Sequence, residues 1–242
     1  MMSSMKLRGT ITGLISFVAS EEEMLLQYTE RSRATEGSPE VWAAVPLVAH
    51  NTEFKRQQVC RLEAVATGTI PTTFKEVDHR SHEVYEQYSR RPLDEVRAEH
   101  RAVTTRLIDL ASQLSDADLL DPSRHEWLSG RKLWLQVVVR GFWHPAGHLG
   151  EFYLTHDENT RALSLARHAL GVTQYLEAPD DVVAMGAYNL ACAYARAGLL
   201  DEAVDAITLA VEKNPEFREK FRHEPDLEAL RDSGRLSETL GT

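Results

Sequence analysis

The sequence predicts an all-α protein: a four-helix bundle with a long crossover, followed by a helical hairpin extension. Three observations carry that reading. Apolar residues recur at helical spacing in successive long segments. Gly and Pro clusters divide those segments. The last third turns rich in alanine, and its segments shorten.

The first helix is expected over Thr10 to Arg33, where Leu14, Phe17, Val18, Leu25 and Tyr28 share one face. Lys6 and Arg8 ahead of the apolar stretch faintly imitate a signal peptide. No A-x-A site follows, however, and Glu21, Glu22 and Glu23 come next. Gly37-Ser38-Pro39 marks a break; Ser38 can cap, and Pro39 suits a first helical turn. Helix two then runs from Pro39 to about Ala66. Residues 67 to 91 show no clear period and suit a long crossover, with a short helix near Glu83 to Tyr88.

Pro92 and Leu93 open a third helix that continues to about Leu114, with Val96, Val103, Leu107, Leu110 and Leu114 as its buried stripe. A polar connection follows, from Ser115 to Gly130. Arg131 to His156 contains strand-like runs, Leu133-Trp134-Leu135 and Val137-Val138-Val139. Three helices precede it and no partner strand is evident, so it reads as a fourth, bent helix. Pro145 cannot donate to the Gly141 carbonyl, which places a kink near Gly141 or a fresh start at Trp143.

Beyond that segment, Leu190, Ala191 and Tyr194 alternate large and small residues on one helix, and Ala203, Ile207 and Ala210 do so on a second. Gly198 supplies the turn between them, and Pro215 ends the unit. This spacing resembles the tetratricopeptide repeat, in which small residues let helices approach closely. Thr160 to Leu176 supplies a preceding helix, and Pro225 to Arg231 reads as a terminal cap. The expected organisation is therefore a bundle over residues 1–157 and a tetratricopeptide-like extension over 158–242, packed on the bundle to supply the burial that one repeat lacks.

Among ten histidines, three stand out. His144 and His148 are four apart, so on a helix they share a face. His50 is the polar group on a mostly apolar face of helix two. Three imidazoles suit zinc, nickel or iron and leave a coordination position for water or substrate. One histidine in helix two, a long crossover, and an H-x-x-x-H pair in helix four, flanked by Phe142, Trp143, Phe152 and Tyr153, resemble the DinB-like superfamily over about residues 10 to 156. The resemblance implies a four-helix bundle and one divalent metal ion held by His50, His144 and His148. It also implies thiol-dependent transferase or isomerase chemistry, with a low-molecular-weight thiol such as mycothiol, bacillithiol or glutathione as co-substrate. Pro145 inside the motif departs from a regular helix.

Glu53 and Glu151 each lie three residues after a candidate ligand and can orient it or act as a base; a solvated helix carboxylate is the plain alternative. His79 and His82 in the crossover read as a solvated loop beside Asp78 and Glu83. Cys60 and Cys192 sit in apolar helical patterns and read as buried core residues, which fits a reducing cytoplasm.

With 43% hydrophobic and 26% charged residues the composition is that of an ordinary globular chain, and the net charge of −10 argues against a nucleic-acid partner or an anionic lipid surface. Three functions compete. One is a metal-dependent thiol S-transferase acting on small electrophiles. Another is a metal-dependent hydrolase with Glu53 or Glu151 as base. The third is a non-catalytic adaptor that holds a protein partner on the helical extension. A homodimer through bundle helices is compatible with each.

Overall fold

A computed structural model describes residues 4–32, 37–38, 41–74 and 82–241, and their side chains over 5–27, 37–38, 41–74 and 85–241. No strand occurs among the described residues, so the chain is all-α. It divides into two compact units, Met1–His148 and Leu149–Thr242.

In the first unit, α1 (Ser4–Ser32), α2 (Ala44–Thr67) and α4 (Leu93–Gln113) pack on one another, with the short α3 (His82–Ser89) against α2. Ile11, Ile15, Val18 and Leu26 of α1, Val48 and Leu62 of α2, and Val96 and Leu107 of α4 fill the interior. Two expected apolar positions differ. Phe17 is 38% exposed, and Val103 is only half-buried. The Tyr28 side chain lies outside the described residues.

Helix α2 begins later than the sequence suggests. Ser38 and Val41 exchange backbone hydrogen bonds, and Ser38 Oγ accepts from the Val41 amide at 3.2 Å. Ser38 thus closes a turn ahead of the helix, while Pro39 lies outside the described residues. The proline in the first turn of α2 is Pro46, where an amide hydrogen would have no intrahelical acceptor. Cys60 faces outward from α2 and is exposed, contrary to the core role expected for it.

The connection after α4 carries more structure than its polarity suggests. Ser115 caps α5 (Asp116–Leu120) in a reciprocal box with Asp118, and a 3-10 turn follows at Glu126–Leu128. The fourth segment is broken. It comprises α6 (Leu133–Val138), a π-helical turn (Val139–Trp143) and α7 (His144–Thr155). Pro145 has no amide hydrogen for Gly141, and the wider turn absorbs that loss. Gly141 also sits tight against α1: a Cβ there would fall 2.9 Å from Ile15 Cγ1.

In the second unit, α9 (Asp180–Arg196) packs against both α8 (Asn159–Tyr175) and α10 (Leu200–Lys213). Ala184, Ala187, Ala191, Ala203 and Ala210 are fully buried, which lets the helix backbones come close. Gly198, at φ +75°, makes the left-handed turn between α9 and α10. Then come α11 (Phe217–His223), a 3-10 turn (Pro225–Leu227), α12 (Glu228–Asp232) and α13 (Arg235–Leu240). The sequence reading had only a cap at Pro225 to Arg231. Helix α11 escaped it because its apolar content is two phenylalanines, Phe217 and Phe221, whose rings meet Tyr188 of α9. No described helix is long and apolar enough to cross a membrane.

Candidate metal centre

His50 stands in α2 and is 1% exposed, and Tyr88 and Trp42, which meet its ring, belong to or pack on a cluster of Leu26, Val45, Val48, Ala49 and Val96. His144 opens α7, and His148 follows one turn later; both are half-buried. One nitrogen from each of the three rings lies within 4.8 Å of the others. His144 Nε2 and His50 Nε2 are 3.3 Å apart. Zinc–nitrogen bonds of about 2.0–2.1 Å in a tetrahedron would set two such atoms about 3.3 Å apart. The spacing therefore fits a shared divalent ion, and the donor set is one that zinc, nickel and iron accept.

Aromatic rings hold the imidazoles. Trp42 meets His50 edge-on at 5.5 Å, Tyr88 does so at 5.8 Å, and Phe54 lies 4.9 Å from it. Phe54 also stacks on His144, with centroids 3.7 Å apart and planes 17° from parallel. These walls restrict how far the rings can turn and keep His50 out of water.

Glu53 lies one turn along α2 from His50 and pairs with Arg56 at 3.3 Å. It is also close to Tyr88: burial, and then the charge of Glu53, push that hydroxyl above its usual range. Glu151 lies in the second unit and is exposed. Its charge is felt there by Cys192 and Asp226. Cys192, Glu224 and Asp226 bring a thiol and two carboxylates within 4.8 Å of one another. Those acids already have protein partners, since Tyr188 donates to Glu224 and Arg196 stands 3.7 Å from Asp226. Cys192 is buried, as its apolar setting led one to expect. His79 lies outside the described residues; His82 opens α3, with its side chain also outside them.

The sequence reading missed a charged group in the first unit. Glu22 of α1, Lys55 of α2 and His100 of α4 are all buried. Lys55 donates to Glu22 Oε2, and His100 Nε2 lies 3.0 Å from the same oxygen. Burial pushes the Glu22 carboxyl up, but the Lys55 ammonium and His100 outweigh it and hold its pKa down to about 2. Asn51, Gln58 and Thr104 add buried polar atoms with no protein partner among the described residues. The helical neighbours of Lys55, at Asn51, Thr52 and Gln58, are polar, so no apolar stripe in the sequence marked that face of α2 as buried.

A model of the DinB superfamily matches residues 8–152. No curated protein and no solved structure matches the chain.

Proposed function

The chain belongs to the DinB superfamily, and on that premise we propose that His50, His144 and His148 bind one divalent metal ion and serve a thiol S-transferase acting on small electrophiles. The observation that carries the metal reading is the convergence of three ring nitrogens within 4.8 Å, two of them 3.3 Å apart. Imidazole ligands bring no negative charge of their own to an ion. A divalent ion held in this way favours an anionic fourth ligand, and it would stabilise a bound thiol as its thiolate at neutral pH. Zinc, nickel and iron all suit the donor set.

The chain's own groups take the remaining roles. Trp42, Phe54 and Tyr88 hold His50 and His144 in place and exclude water. Glu53 is the proton acceptor this reading favours, because it lies on α2 one turn from His50 and beside Tyr88. In that reaction Glu53 takes the thiol proton and passes it to solvent, the sulfur forms its bond to the electrophilic carbon, and the carbon's bond to its leaving group breaks, the group departing with the bonding pair. The alanine-lined helices α8, α9 and α10 are proposed as tetratricopeptide-like, with a protein partner as their ligand.

Metal analysis of the purified full chain, beside His50→Ala and His148→Ala, tests the ligand assignment. One equivalent of metal is expected in the parent, with strong loss in both variants. Metal retained in both would place the ion elsewhere. A screen of thiols against electrophiles then tests the transferase.

A further inference from the structure

A buried thiol in the second unit faces two carboxylates and has no place in the chemistry proposed above. Cys192 of α9 is 5% exposed, and no hydrogen bond joins its Sγ to another residue among the described residues. Glu224 caps the C-terminal end of α11, and Asp226 follows two residues later in the 3-10 turn that packs on α9. Both are half-buried. One ligand atom from each of the three side chains lies within 4.8 Å of the other two. Tetrahedral bonds of about 2.3 Å to sulfur and about 2.0–2.2 Å to oxygen set such atoms about 3.4–3.6 Å apart. Shifts of about 1 Å therefore close the group on one ion.

Arg196 neutralises this cluster only in part. It stands 3.7 Å from Asp226, beyond hydrogen-bond range, and its Nη2 donates to the Leu154 carbonyl at 2.8 Å and to Asp157 at 3.2 Å. Tyr188 donates to one oxygen of Glu224, and the Asp226 amide donates to the other. A carboxylate has about four lone-pair sites, so both acids keep some for a metal. Outer hydrogen bonds of this kind orient metal-binding carboxylates. Burial, and then the charge of Glu224, push the Asp226 carboxyl above its usual range, as expected of acids short of a cation. We propose that Cys192, Glu224 and Asp226 bind a divalent ion of the zinc class and so clasp α9 to the turn after α11. Sulfur selects zinc, cobalt or cadmium over magnesium or calcium. The Cys192 thiol gives up its proton to solvent as Sγ bonds the ion. The site shares no residue with the three histidines and does not rest on the function proposed for them.

The test titrates the full chain with cobalt(II) on a Cys60→Ser background, which removes the exposed thiol. A sulfur-to-cobalt charge-transfer band in the near ultraviolet is expected, a signature that an all-imidazole site does not give. Adding Cys192→Ala should abolish the band and lower the bound cobalt by one equivalent. Alanine is small and suits this alanine-rich helix, so this variant should melt near the parent in the presence of a chelator. Asp226→Asn, which keeps the shape and removes the charge, should weaken cobalt binding read at the band by at least about tenfold. His148→Ala should keep the band, so loss of the histidine site and loss of this one are read separately. No band in the Cys60→Ser chain, or a band that survives Cys192→Ala, overturns the proposal. So does unchanged affinity in Asp226→Asn, or a band lost with His148→Ala.

Discussion

Residues 1–148 bury Glu22, Lys55 and His100 as an ion group, with Asn51, Gln58, Thr104 and His50 alongside. In residues 149–242 the interior is mostly alanine and leucine, with Tyr153, Ile207 and Phe221 also fully buried, and Thr173 is the buried polar residue among the described residues. Both regions are helical, yet they solve different problems. The second gains stability from close approach of helices over small side chains, which needs no polar group inside. The first accepts the desolvation of charges and amides, which packing alone would not favour. Such a core is worth keeping where polar groups must be held at fixed positions. The three histidines lie in that same unit.

The contrast can be broken experimentally. The largest effect is expected from Lys55→Met, which leaves the Glu22 carboxylate buried without its ammonium partner. It should cost about 3–5 kcal/mol in chemical denaturation, with faster hydrogen exchange in α1, α2 and α4. A cost under about 1 kcal/mol would mean that the ion group contributes nothing the bundle needs. Acid comes next. Glu22 has its folded pKa held below the unfolded value of 4.5, to about 2. Its contribution is therefore complete above pH 4.5 and is lost as pH falls toward about 2. The loss is on the order of 3 kcal/mol. Glu22→Gln should flatten that part of the stability profile, and an unchanged slope would assign acid sensitivity to other carboxylates. The smallest effect is expected in the alanine-lined unit. Ala191→Leu adds bulk where α9 is fully buried and should cost about 1–3 kcal/mol, read from the melting of the variant. A neutral result would show that the helices there are less closely packed than their alanines imply.

Helical periodicity, breaker residues and the alanine shift made the main helices legible from composition and spacing. So were the three histidines, since the family's order of ligands along the chain is itself a sequence pattern. The start of α2 was harder to read because two prolines, Pro39 and Pro46, both suit a first turn. Helix α5 hid in a polar stretch, although Ser115 and Asp118 spell a capping box. The mutual pairing of Glu22, Lys55 and His100 could not be read at all. Those residues look like surface charges until helices from distant parts of the chain close around them.

The sequence alone determined an all-α chain, where its long helices fall, and which imidazoles are candidates for a metal. Those properties depend on local spacing, because a helix repeats every few residues and its breakers act on their neighbours. Tertiary structure decided which charges lie inside and that two histidine nitrogens sit 3.3 Å apart. Burial and ion pairing are set by contacts between residues far apart in the chain, and no local pattern encodes them.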